Sequence, residues 1–215
     1  MNSKSRTIAK FGIIAALVVV AIIIETAVSV GFAISIAAVT ITIVLVVCQT
    51  NDLKTAIFVT TTFGMLSFLR SFIIASPTAW LFQNPLVSVA PRIIIGFTCY
   101  YSLKLFKKLF AKYKSNIAKT LPFIFSGAIG VLTNTVLVLS MMAVFDYTRS
   151  LAEIIAAIIL INFLSEILAG VLIVPAASKA LLRARRNIDI NPSTDNKQEI
   201  QKPETQNSDT QQDNL

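Results

Sequence analysis

Three polar clusters interrupt an otherwise apolar chain. The first is QNPLVSVAPR, residues 83–92. Asn84-Pro85 reads as an N-cap followed by proline at the first helical position. On that reading a helix starts there and kinks at Pro91. Alternatively the helix starts at Pro91 and residues 83–90 form a loop. Both leave free backbone N–H groups beside the fixed charge of Arg92, and such a helix end favours a carboxylate or phosphate. Trp80 and Phe82 come just before, where aromatics serve either as a membrane-interface belt or as a lid over a ligand.

The second cluster is the TNT of residues 133–135. Ser126, Gly130 and Asn134 are spaced four apart and share one helix face. They suit a close packing seam with Asn134 as interhelical glue, or a polar reader of a bound molecule. The third cluster repeats the spacing with Asn162, Glu166 and Gly170. A carboxylate in hydrocarbon is costly, so Glu166 is expected to face protein or water. Asn162 lies about 16 Å below the outer end of its helix at 1.5 Å per residue, close to the height of Asn134. Arg70 and Glu25 complete the set of charges at depth. Glu25 could pair with Arg70 or with Arg92, and Arg70 suits an ion pair, snorkelling or ligand contact.

Several chemistries are excluded by composition. There is no histidine, so Ser-His-Asp and Cys-His sites, His-based zinc sites and His proton relays are absent. Cys48 and Cys99 are far apart, lie in apolar runs and form no CxxC pair; they read as buried, inert thiols. No GxxxxGK[ST] loop occurs. Ser165 beside Glu166 is the one tempting nucleophile–base pair, and adjacent helical residues point about 100° apart. No enzyme activity, cofactor or metal site is expected on this chain.

The elements that must position these residues are membrane helices. The chain has 215 residues, of which 55% are apolar and 14% charged, with a mean hydropathy of +0.74. Residues 11–49 carry a single charge, Glu25, over roughly twice the length of a bilayer span. The fold class is therefore all-α, a polytopic membrane bundle. Lys4, Arg6 and Lys10 ahead of an apolar run resemble a signal peptide, but the length of the run predicts a first transmembrane helix. Six apolar segments are expected, at 8–27, 29–50, 54–75, 87–110, 120–145 and 151–178. Gly31, Asn51-Asp52, Ser76-Pro77 and Asp146 mark the breaks.

Lys4, Arg6, Lys10, Lys54, the lysines from Lys104 to Lys119, and Lys179, Arg183, Arg185 and Arg186 all fall on one side of six spans. The positive-inside rule then makes both termini cytoplasmic and puts 83–92 outside. Residues 1–186 form the membrane domain. Residues 187–215 are polar and are expected to be a disordered cytoplasmic tail. The first 186 residues hold seventeen basic and five acidic side chains, a net +12. The positive-inside pattern accounts for most of this, so a nucleic-acid partner is not expected.

NPLVSVAPRIIIGFTCY (84–100), GAIGVLTNTVLVL (127–139) and INFLSEILAGVLIVPAASKAL (161–181) resemble the substrate-binding S components of energy-coupling factor (ECF) transporters, which import vitamins in bacteria. The likeness is good over the last three segments and in outline over the first three, and it points to the branch with pantothenate, folate and cobalamin binders. It implies a six-helix bundle in the cell membrane that binds a vitamin in an outward-facing cavity. Loops near Glu25–Val30, Pro77–Ala90 and Asp146–Ser150 would close over the ligand. It also implies a transmembrane coupling subunit and two ATPase subunits as partners, with ATP used by those subunits. Arg92 would pair with an anionic group, Asn84, Asn134 and Asn162 would read polar edges, and Trp80 or Phe82 would cover the ligand. Arg70 and Glu166 are further candidates for contact. Pantothenate, with one carboxylate plus hydroxyl and amide groups, leads as substrate.

S components dock on the coupling subunit through small residues four apart on the first helix. Here Ser5, Ala9, Gly12 and Ala16 make such a face, without the strict Ala-x-x-x-Ala pattern. The rival reading is a stand-alone secondary carrier of a small organic anion, with Glu166 as proton relay.

Overall fold

The computed structural model describes residues 3–32, 38–73, 79–113, 115, 117–145 and 163–190. Among them every regular element is helical. The first helix, α1, runs Ser3–Phe32, α2 Ala38–Thr50 and α3 Leu53–Arg70. Two single-turn pieces follow, α4 (Ala79–Phe82) and α5 (Pro85–Ser88), and then α6 (Ala90–Phe110). Next come α7 (Leu121–Phe145) and α8 (Leu164–Leu168). A π-helical turn (Ala169–Ile173) leads from α8 into α9 (Val174–Ile190).

Among the described residues, four stretches are long and apolar enough to cross a membrane: Ser5–Val28, Pro85–Phe110, Leu121–Phe145 and Leu164–Asn187. The shorter apolar α2 is the hub of the core. It packs on α1, α3, α6, α7, α8 and α9. Val44, Leu45 and Cys48 on α2 are fully buried. A helix apolar on every side can bury every side. By contrast α1 is one-sided. Ile14, Val18 and Ile22 enter the core, while Ile8, Ile13 and Ile23 stand out from it.

Glycines set how closely the helices cross. The Gly127 and Gly170 backbones meet between α7 and the π turn, and a Cβ on Gly127 would run into the Gly170 carbonyl. A Cβ on Gly96 would lie 2.6 Å from Thr60 Oγ1 and 3.2 Å from the Ala56 carbonyl, so α6 lies hard on α3. Gly130 faces Leu45 in the same way. Ser126 and Asn134, its neighbours on that face, are buried too. Cys48 and Cys99 are free thiols that meet in the core, and Cys99 Sγ lies 3.4 Å from Ser126 Oγ.

One end of the bundle is tied by cations. Lys10 Nζ donates to Asp52 Oδ1 at 3.2 Å and to Thr55 Oγ1 at 3.0 Å. Arg185 donates to the Thr50 carbonyl at 2.9 Å and to Asn51 Oδ1 at 3.3 Å. Lys179 donates to Thr120 Oγ1 at 2.6 Å. The start of α1, the α2–α3 turn, the start of α7 and α9 therefore gather at one end. Arg185 satisfies the last carbonyl group of α2, where a helix C-terminus favours a cation. Deeper in, Gln49 is buried and bridges three helices. It donates to the Phe123 carbonyl at 2.9 Å and accepts from Ser178 Oγ at 2.8 Å.

Some boundaries differ from expectation. Residues 25–30 are helical rather than loop, because nothing in TAVSV breaks α1. The third helix ends at Arg70, short of 75. The last helix continues to Ile190, past both 178 and the boundary at 186, and Arg185 anchors that extension. Residues 151–162 and 191–215, and with them Asn162 and most of the polar tail, lie outside the described residues. Ser76-Pro77 and Asp146 lie outside them as well.

Two outcomes follow from this packing. Gly127→Leu forces α7 from the π turn and should lower stability by about 1–3 kcal/mol or more, read by chemical unfolding in detergent. Gly12→Ala should cause no loss, because nothing lies within 4 Å of its added carbon. Asp52 gives a pH signature. The Thr55 hydroxyl, and after it the Lys10 ammonium, hold its carboxyl down at about 2 against some opposing burial. A carboxyl depressed on folding stabilises above its unfolded value and loses that contribution as pH falls through the folded one. Wild type should therefore outlast Asp52→Asn at neutral pH. The gap should close between about pH 4 and pH 2, as measured by melting temperature against pH.

Candidate functional site

The break at 82–92 is best understood by asking where its backbone hydrogen bonds go. Proline has no N–H. The Leu81 carbonyl cannot reach Pro85, and Asn84 N donates to it instead at 3.2 Å. Leu86 N is taken by the Asn84 side chain at 3.0 Å, which caps α5. The Phe82 carbonyl is left over, and the Ser88 hydroxyl donates to it. The Val87 carbonyl would ordinarily receive the N–H at position 91, where Pro91 offers none. Arg92 Nη1 donates to it at 3.0 Å. Both readings of the segment are thus realised in part: a capped single turn at Pro85, then a second start one residue before Pro91.

Arg92 is 5% exposed. Its guanidinium carbon lies 5.3 Å from the centre of the Phe82 ring and 5.6 Å from that of Phe63. Aromatic faces attract such a cation, more so when it is desolvated. Gly64 makes the approach possible. A Cβ there would lie 3.0 Å from Val89 Cα and 3.3 Å from Arg92 Cβ. The Nε–H of Arg92 is buried and has no hydrogen-bond partner among the described residues.

A second unpartnered atom lies on α7. Asn134 Nδ2 donates to Glu166 Oε2 at 3.4 Å, but Asn134 Oδ1 is buried with no donor. Glu166 is buried and interacts electrostatically with Arg92 and with Glu25. Glu166 thus has Asn134 within hydrogen-bond reach and feels the charge of Arg92, while Arg92 keeps an unused buried donor and Asn134 an unused buried acceptor. Buried polar groups are normally satisfied, so these two orphans make this the candidate site.

The Glu25 carboxylate is differently employed. It accepts from Thr40 N at 2.7 Å and from Thr40 Oγ1 at 2.7 Å, and Arg70 Nη1 lies 3.8 Å from it. Glu25 thereby caps the N-terminus of α2 from a neighbouring helix and joins α1, α2 and α3. Of the two arginines it could have paired with, it takes Arg70. That arginine is committed to a structural pair.

The remaining predicted residues are spread out. Trp80 is half exposed and lines an open concavity of about 530 Å³ with Leu81, Gln83, Asn84, Pro85 and Phe145. Arg92 is absent from that lining. Phe82, between Leu81 and Gln83, turns its ring to the guanidinium instead. The oxygen of Asn84 serves the α5 cap. Asn162 lies outside the described residues, as do Asp146 and Arg149. Ser5, Ala9, Gly12 and Ala16 share an exposed face of α1 rather than packing inside the bundle. Residues 146–150 and 74–78, parts of the expected closing loops, are also outside the described set.

Sequence reasoning missed Phe63, Gly64, Ser88 and Thr40. Phe63 and Gly64 sit in an ordinary apolar helix and carry no local signal. Ser88 could have been found by asking which hydroxyl serves the Phe82 carbonyl once the Asn84 cap takes the Leu86 N–H. Among the described residues no group of three or more metal-ligating side chains comes together. Ser165 is half-buried next to the buried Glu166. What the geometry offers is recognition, by one cation and one amide. Glu25→Ala would leave Arg70 without its anion and the α2 terminus uncapped, and should lower stability by about 3–5 kcal/mol. Unfolding of Glu25→Ala, Arg70→Ala and the double variant checks this: the double variant should lose less than the two single losses together.

No protein-family model matches the chain. It is 28% identical over 141 residues to the pantothenic acid transporter PanT of Lactococcus lactis subsp. cremoris. The matched stretch spans 58% of this chain and 66% of that protein, just under two thirds of its length. The chain is thus similar, over part of its length, to a bacterial pantothenic acid transporter.

Proposed function

We propose that this chain is the substrate-capture (S) subunit of an ECF-type importer, and that its ligand is pantothenate or a close relative. Six spans with both termini cytoplasmic would put the 82–92 break on the outer side. The observation that carries the reading is the pair of unused buried atoms, Arg92 Nε and Asn134 Oδ1, on the two residues that respectively influence Glu166 by charge and hydrogen-bond it. A ligand with a carboxylate at one end and a hydroxyl or amide N–H at the other satisfies both. Pantothenate has that arrangement, and the partial likeness to a pantothenic acid transporter supports it.

Binding would begin at the concavity formed by Trp80, Asn84 and Phe145 and proceed past Phe82. When Phe82 swings aside, Arg92 exchanges one aromatic neighbour for a charge-assisted hydrogen bond. No covalent step occurs on this chain. The exposed small-residue face of Ser5, Ala9, Gly12 and Ala16 would admit a partner helix closely. It is the proposed dock for a transmembrane coupling subunit, whose two ATPase partners use the ATP.

Arg92→Ala should weaken pantothenate binding by about tenfold or more, the value of a hydrogen bond to a charged group. Titration calorimetry on purified protein measures it, with a melting curve to establish folding. An unchanged Kd in folded protein removes Arg92 from the site.

A further inference from the structure

Charge balance inside the bundle has a consequence for how the proposed ligand binds. Among the described residues, four ionisable side chains lie within electrostatic reach of one another in the bundle: the buried Glu25 from α1, Arg92 from α6 and Glu166 from α8, and the half-buried Arg70 from α3. From α7 comes the neutral Asn134, and α2 brings Thr40, which is spent on Glu25. The two acids balance the two arginines. Glu25 and Arg70 form a pair of their own. Arg92 is left as the cation that faces Glu166. A carboxylate arriving at Arg92 takes that cation for itself and leaves Glu166 as an unbalanced charge away from water. An uncompensated buried carboxylate is strongly disfavoured and is neutralised by a proton where one can be reached.

We propose that Glu166 takes up one proton when an anionic ligand binds at Arg92, so that the buried interior stays neutral. This rests on the anion-binding reading above. In the step, the ligand carboxylate accepts hydrogen bonds from the Arg92 guanidinium, and one proton from solvent adds to a Glu166 carboxylate oxygen. No bond breaks and no electron moves. The neutral carboxyl gains an O–H donor. Turning the Asn134 amide over then presents its oxygen, which has no donor in this structure, to that O–H. The flipped Asn134 N–H then turns to a hydroxyl or carbonyl oxygen of the ligand, while the ligand carboxylate takes up the Arg92 N–H. Glu25 is the poorer site for the proton, since a backbone N–H, a hydroxyl and Arg70 already hold its charged form.

The experiment is pantothenate titration calorimetry on the full chain in detergent, in two buffers of different ionisation enthalpy, with Kd measured across pH. Uptake of close to one proton per ligand is expected, with Kd tightening by about tenfold per pH unit of acidification over the linked range. Glu166→Gln should lose both the proton uptake and the pH slope. Binding with no proton exchange and a flat pH profile overturns the proposal and leaves the capture function standing. Uptake that persists in folded Glu166→Gln overturns the assignment to Glu166. If that variant does not fold, the wild-type proton count and slope decide. No binding at any pH overturns the capture reading and this inference with it.

Discussion

Pro91 withholds the N–H that the Val87 carbonyl would receive in an unbroken helix, and the Arg92 guanidinium supplies it. That one exchange explains how a full positive charge lies buried in an apolar bundle. The carbonyl needs a donor because it is buried, and the arginine needs an acceptor for the same reason. Other features serve the arrangement. Gly64 lets the broken segment lie against α3, Asn84 and Ser88 satisfy the other groups released by the two prolines, and Phe63 and Phe82 face the guanidinium. The Nε–H of Arg92 has no acceptor among the described residues, and the proposed anion would supply one.

The two arginines at depth illustrate how similar residues acquire different work. Arg70 meets a carboxylate that is itself fixed by the N-terminus of α2. Arg92 meets a carboxylate held by one long hydrogen bond from an amide. The first arrangement is closed, and opening it costs the contact between three helices. The second is open to rearrangement. On the proposed function, holding the shape and accepting a polar guest are thereby separate tasks.

Much of this was legible in the sequence where local rules govern. Asn84-Pro85 announced a cap, and a cap forms there. Ser126, Gly130 and Asn134 at spacing four announced one buried face, and they share it. Asn51-Asp52 announced a turn between two helices. What was not legible depends on pairing across helices. Nothing near Glu25 says that Thr40 and Arg70, rather than Arg92, will hold it. Nothing near Gln49 in its apolar run says that Phe123 and Ser178 wait on two other helices. The extension of α9 past the apolar run that ends at 178 was hidden because its charged residues carry no apolar signal, whereas Arg185 finds the Thr50 carbonyl at the end of α2.

The central claim is that a small organic anion is captured beside Arg92. Mass spectrometry of small molecules that co-purify with the intact protein in detergent tests it most directly. The account predicts a compound with one carboxylate and with hydroxyl or amide groups, pantothenate first, retained by the wild type and lost from Arg92→Ala. Recovery of a cationic or purely apolar molecule, equally retained by Arg92→Ala, would contradict it.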